Sequence, residues 1–206
     1  MKFLLSLVLL AANCPAFAQS TSEAILGYSG SFSGLVSTTA GWTFQPNANL
    51  SATSLGCFAN IFANNPTASA IQVVLWGQSG VLLASNTITS SSILIDQTRY
   101  ESITPVALAS GLVYHLGVFY PGGSLGLDVV SPGSGGLVLA SADVQLDGTA
   151  LSPSGFSFPV QQGGTAGSIY AGPNFRYSGG VPEPSSFLLL GLGGLALASR
   201  WQKQRL

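Results

Sequence analysis

The stretch IQVVLWGQSGVLLASNTI, residues 71–88, sets the reading of the whole chain. Ile71–Trp76 is rich in β-branched and aromatic residues, Gly77-Gln78-Ser79-Gly80 is a turn signal, and Val81–Ser85 is apolar again. Two strand-like runs joined by a short glycine-bearing loop predict a hairpin. Working outward, the same pattern repeats: short runs of Val, Ile, Leu, Thr and aromatics are cut by Asn, Pro, Gly and Ser clusters. The expected strands are Ile25–Phe32, Gly41–Gln45, Ala52–Phe62, Ile71–Trp76, Val81–Ile88, Tyr100–Ile103, Leu112–Tyr120, Leu125–Val130, Gly136–Ala140, Phe156–Val160 and Asn174–Tyr177. Outside the two termini no apolar 3.6-residue period lasts three turns. The expectation is an all-β fold, a jelly-roll-like antiparallel β-sandwich of two sheets. Its inner faces should carry Trp42, Phe44, Leu55, Phe58, Trp76, Leu82, Tyr114 and Val118.

The chain has 206 residues, of which only 6% are charged, against about 25% in an average globular protein. Ser, Thr, Asn, Gln and Gly supply the polar surface instead, so this is not a disordered composition. Between residues 19 and 180 the basic residues are Arg99 and Arg176, against Glu23, Asp96, Glu101, Asp128, Asp143 and Asp147. Such a domain cannot build the basic face that nucleic acid requires, and no nucleic-acid partner is expected.

Both ends read differently. Lys2 precedes the apolar run Phe3–Ala12, and Ala16-Phe17-Ala18 meets the small-x-small rule for signal peptidase, with Gln19 as the new N-terminus. Ten apolar residues rise about 15 Å as a helix, against a hydrocarbon core of ~30 Å. A helical signal peptide over 1–18 is therefore expected, rather than an uncleaved anchor. Cys14 stands between Asn13 and Pro15, a poor lipoprotein signal, and leaves with the leader. Cys57 is then the single thiol, in the apolar stretch LGCFANIF, and reads as a small core residue.

At the other end Val181-Pro182-Glu183-Pro184 precedes the apolar run Phe187–Ala198 and a basic tail with Arg200, Lys203 and Arg205. As a helix, that run is a weak stop-transfer segment, and the basic residues would stay cytoplasmic. Pro182 and Pro184 disfavour helix before them and keep the motif extended. These three parts resemble the PEP-CTERM sorting signal of Gram-negative bacteria. The resemblance implies handling at the inner membrane by an exosortase, a polytopic protease with a cysteine nucleophile, then release to the cell surface or to exopolysaccharide. The implied division is a signal peptide at 1–18, a secreted sandwich domain at 19–180 and a sorting segment at 181–206. Within that segment the motif covers 181–184, an apolar helix 187–199 and the basic tail 200–206. A permanent single-span anchor is the alternative.

Residues 41–120 resemble a second family, bacterial secreted β-sandwich domains of unknown function. The matching pieces are "WTF", "LGCF", "VVLWGQSGVLLASNTI" and "YESITPVALASGLVYHLGVFY". Gly172-Pro173-Asn174-Phe175-Arg176-Tyr177 is also common before such sorting tails. This resemblance implies a fold and no activity.

Candidate chemistry is sparse. His115 is the one histidine, and alternation sets it on the face opposite Tyr114 and Leu116. One His and one mature Cys fall short of a zinc site. Gly133-Ser134-Gly135 lacks the spacing of a nucleophile elbow, and the glycines form no phosphate loop, so no cofactor is expected. Asp143 and Asp147, four apart on one side of a strand with Gln145, are weak candidates for Ca²⁺ or, with Glu101, for a glycosidase pair. Asp96 and Glu101 flank Arg99, which reads as a solvated surface group. Trp42, Trp76, Tyr100, Tyr114, Phe119 and Tyr120 offer either a sugar-stacking face or core packing. The reading is a non-enzymatic surface or matrix protein with exopolysaccharide as a partner. The alternative is a carbohydrate-active envelope enzyme.

Overall fold

The structure, a computed structural model, describes residues 21–29, 31–163 and 166–179. The signal helix with Ala16, Ala18 and Gln19, and the sorting segment with its apolar helix, lie outside the described residues.

Two large antiparallel sheets carry the fold. One is ordered β1 (Thr21–Glu23), β16 (Pro173–Gly179), β5 (Leu50–Phe58), β9 (Thr98–Leu108), β8 (Ile93–Ile95). The other runs β14 (Gln161–Gly163), β13 (Val144–Leu151), β4 (Ala40–Pro46), β10 (Tyr114–Phe119), β6 (Ala70–Gly77), β7 (Leu82–Thr89). Two small sheets extend them, one of β15 (Ile169–Ala171), β11 (Leu125–Val130) and β3 (Phe32–Val36), the other of β12 (Leu137–Ala140) and β2 (Ile25–Ser29). A single short α-helix among the described residues, α1 (Asn60–Asn64), follows β5, and one 3-10 turn covers Pro132–Ser134.

Alternation builds the core between the large sheets. Trp42 and Phe44 project from β4, Tyr114, Leu116 and Val118 from β10, and Leu55 and Phe175 from β5 and β16; all are buried. The Phe44 and Phe175 rings stand 4.9 Å apart across the sheets, and the Trp42 indole donates to the Pro173 carbonyl at 3.0 Å. Each large side chain buried this way contributes about 1.5–3 kcal/mol. Packing β4 against β10 requires Gly41, because a Cβ there would lie 1.9 Å from the Leu116 carbonyl oxygen.

The hairpin forms as the sequence predicts. Trp76 pairs with Leu82, Gly77 N–H donates to the Val81 carbonyl at 2.9 Å, and Gly80 turns the chain with φ +80°. Two of its side chains depart from the expected inner face. A bulge after Leu75 shifts the alternation on edge strand β7, and Leu82 is 53% exposed. Trp76 follows inward-facing Leu75 and so points to the outer face, where Phe156 and Phe158 bury it. The expected strand Phe156–Val160 is an irregular segment crossing that face. Pro153 and Pro159 lack the donors that a ladder needs. The run Ile25–Phe32 splits into β2 and β3, and β5 stops at Phe58 to enter α1. β13, the neighbour of β4, is missing from the expected strands, although the Asp143–Asp147 spacing reads as lying on a strand there.

The sandwich has two distinct ends. Gly179 pairs with Leu50, which pairs with Leu108, and Thr21 pairs with Ser178. Both exits of the described chain therefore share one end with the turns at 46–49, 77–82, 109–113 and 141–143. Those turns interlock: Gly111 N–H donates to Pro46, Asn47 N–H to Asp143, and Ser110 N–H to the Asn49 side chain. The opposite end is where β5 finishes, α1 starts and β9 begins.

Candidate functional site

The residues singled out by sequence are dispersed. Asp143 precedes β13 in a turn, and its Oδ2 accepts from the Tyr177 hydroxyl of β16 at 2.9 Å. Asp147 sits at the bulge between Leu146 and Gly148 and accepts from Gln145 Nε2 at 3.2 Å. The bulge breaks the alternation that placed the two carboxylates side by side. Glu101 belongs to β9 in the other sheet, opposite Leu55. Among the described residues no three His, Cys, Asp or Glu side chains gather to hold a metal.

His115 faces away from Tyr114 and Leu116 as expected, yet it is only 4% exposed. The Phe158 ring covers it at 4.6 Å, and its register neighbours are Thr43 and Trp76. Burial holds its imidazole below the usual value. Cys57 is fully buried, and burial pushes its thiol up to about 12, with Arg99 acting in the opposite sense. Such a thiol does not supply a thiolate nucleophile. Arg99 is half-buried and donates to the Ser92 carbonyl at 2.9 Å, so it braces the preceding turn rather than standing free in solvent.

The aromatics flagged by sequence do not form an exposed row. Trp42, Trp76, Tyr100 and Tyr114 are buried; the Tyr114 hydroxyl accepts from Ala109 N–H, and the half-buried Tyr120 donates to the Thr67 carbonyl. Tyr100 lies beneath the Arg176 guanidinium at 5.9 Å, near buried Glu23, whose carboxyl is raised by burial and then by Asp96.

A different constellation occupies the end opposite the chain exits. A recess of about 350 Å³ is lined by Tyr28, Phe58, Ala59, Asn60, Gln97 and Asp128. Its polar groups form a closed triangle. Tyr28 donates to Asp128 Oδ2 at 3.0 Å, while Asn60 Nδ2 reaches the Tyr28 hydroxyl at 2.6 Å and Asp128 Oδ2 at 3.1 Å. Tyr28 packs edge-on to Phe58 with centroids 5.0 Å apart. Burial, foremost among the causes, raises the Tyr28 phenol and keeps it a donor. The site thus joins a fixed carboxylate from β11, a phenol from β2, a carboxamide at the start of α1 and the apolar Phe58 ring at the end of β5. Asn60 and Asp128 are 68 residues apart, and Tyr28 and Asp128 are 100 apart. The only local sign was a lone carboxylate in the apolar strand LGLDVV.

The PEP-CTERM protein-sorting motif matches residues 180–204. No curated protein matches the chain.

Proposed function

We propose that this chain, which bears the motif by which exosortase sorts proteins to the cell surface, is a non-enzymatic surface protein that associates with exopolysaccharide through the Tyr28–Asn60–Asp128 recess. Signal peptidase would remove residues 1–18, the inner membrane would hold an intermediate, and exosortase would act on the segment containing Val181, Pro182, Glu183 and Pro184. The observation that carries the polysaccharide reading is the recess itself. A sugar presents hydroxyls that both donate and accept beside an apolar C–H face. A carboxylate, a carboxamide and an aromatic edge held in fixed geometry match that chemistry. The recess also faces away from the end that leads to the sorting segment. The hydrolase alternative lacks comparable support, because Asp143 is bonded to Tyr177 and Glu101 belongs to the opposite sheet.

The test is retention of the secreted protein on exopolysaccharide from its own host. Asp128→Ala and Asn60→Ala should each weaken retention, the first by about tenfold, the worth of a charge-assisted hydrogen bond. Unchanged retention in both variants would remove the recess from the account. Failure of the unaltered protein to bind would remove the polysaccharide partner and leave the sorting intact.

A further inference from the structure

The end that carries both chain exits has its own character. Leu112, Val81 and Leu82 are 51%, 58% and 53% exposed there. Val81 and Leu112 border an apolar recess of about 430 Å³ whose lining includes Leu83, Ala107, Val113 and Tyr114. Within the turns 46–49, 77–82, 109–113 and 141–143 the sole charged residue is Asp143, whose carboxylate is occupied by Tyr177. Exposed leucines without neighbouring charge mark a surface that meets an apolar partner.

Chain length limits what that partner is. Gly179 ends β16, and the apolar run begins at Phe187. Eight residues span at most about 29 Å even when fully extended. Thr21, the neighbour of Ser178 in the ladder, returns the leader to the same edge. Before processing, both greasy termini would hold this end close to one bilayer.

We infer that this end of the sandwich docks on the phospholipid surface while the sorting segment is in the membrane, with Leu112, Val81 and Leu82 in the interfacial layer. The inference rests on the proposed membrane intermediate. Docking would set the Pro-Glu-Pro motif at the height where a polytopic protease works. It would turn the opposite recess outward. With no basic residue in those turns, the attachment is apolar and insensitive to salt, unlike a polybasic one.

The experiment uses the full chain, made without exosortase and reconstituted in phosphatidylcholine–phosphatidylglycerol vesicles. Nitroxides are placed singly at Val81→Cys, Leu112→Cys, Gln97→Cys and Leu190→Cys in a chain carrying Cys14→Ser; buried Cys57 does not compete. Oxygen should relax the spins at 81 and 112 severalfold more, relative to a water-soluble nickel chelate, than the spin at 97. The difference should persist in high salt. If 81 and 112 match 97 while 190 is in lipid, docking is wrong and the membrane intermediate stands. If 190 is aqueous, both fall. If 81 and 112 are shielded from both reagents, another protein surface covers them, and docking on lipid is wrong. Detergent-phase mass then tells a second copy from the chain's own apolar run.

Discussion

Asn174 is a fully buried carboxamide whose four bonds hold a corner of the sandwich together. Its Oδ1 accepts from Ile25 N–H at 3.0 Å and from Phe175 N–H at 2.9 Å. Its Nδ2 donates to the Ile25 carbonyl at 2.8 Å and to Thr98 Oγ1 at 3.3 Å. Asn174→Ala would orphan both backbone groups of a residue with no exposed surface. Each orphaned group costs about 1–3 kcal/mol, so a loss of about 3 kcal/mol in urea unfolding is expected, without loss of the fold at low denaturant. The sequence displayed this asparagine in GPNFRY but not its task, because Ile25 lies 149 residues away. Cys57 was readable, since its apolar neighbours alone predict burial. The Tyr28–Asn60–Asp128 triangle was not, since no local pattern links a strand tyrosine to a helix-start asparagine.

At the scale of elements, the segment 152–160 shows how a pattern misleads. Phe156, Phe158 and Val160 alternate as a strand would, yet no neighbouring strand pairs with them. The segment is pinned at one point instead: Ser152 exchanges hydrogen bonds with Thr39, the Gly155 carbonyl accepts from Thr39 N–H, and Ser157 N–H donates to Thr39 Oγ1. Its phenylalanines seal the outer face of β10 and β6, so His115 is enclosed with its Nδ1 lacking a partner. The groups facing that imidazole, Thr43, Trp76 and Phe158, carry no charge. An unfolded histidine takes up its proton near 6.5, whereas the buried one does so only at lower pH. The unfolded state therefore binds more protons just below that value, and stability declines as pH falls through and below about 6.5. His115→Phe should flatten this decline in melting temperature, and an unchanged slope in the variant would assign it to other groups. By contrast the hairpin at 71–88 was legible because both partners and the turn are contiguous.

The whole molecule joins a legible class to an illegible topology. Short apolar runs and turn clusters forecast all-β architecture, and composition excluded a basic binding face. Sheet order did not follow, because β16 inserts between β1 and β5 and β13 beside β4 through pairings more than 95 residues apart in sequence. Such non-local ladders leave no local trace.

The placement of β16 has a mechanical consequence. If a surface-bound matrix drags on the recess near Gln97 while the tail beyond Gly179 is held, the load runs lengthwise along β16. That strand is laddered on both sides, to β1 and to β5, and antiparallel ladder bonds stand perpendicular to such a pull. They must then yield together in shear. Tension between residues 21 and 179, neighbours at one edge, would instead unzip them one after another. Single-molecule pulling should show a clearly higher rupture force in the first geometry, and equal forces would mean that the tail strand is not the tether's grip.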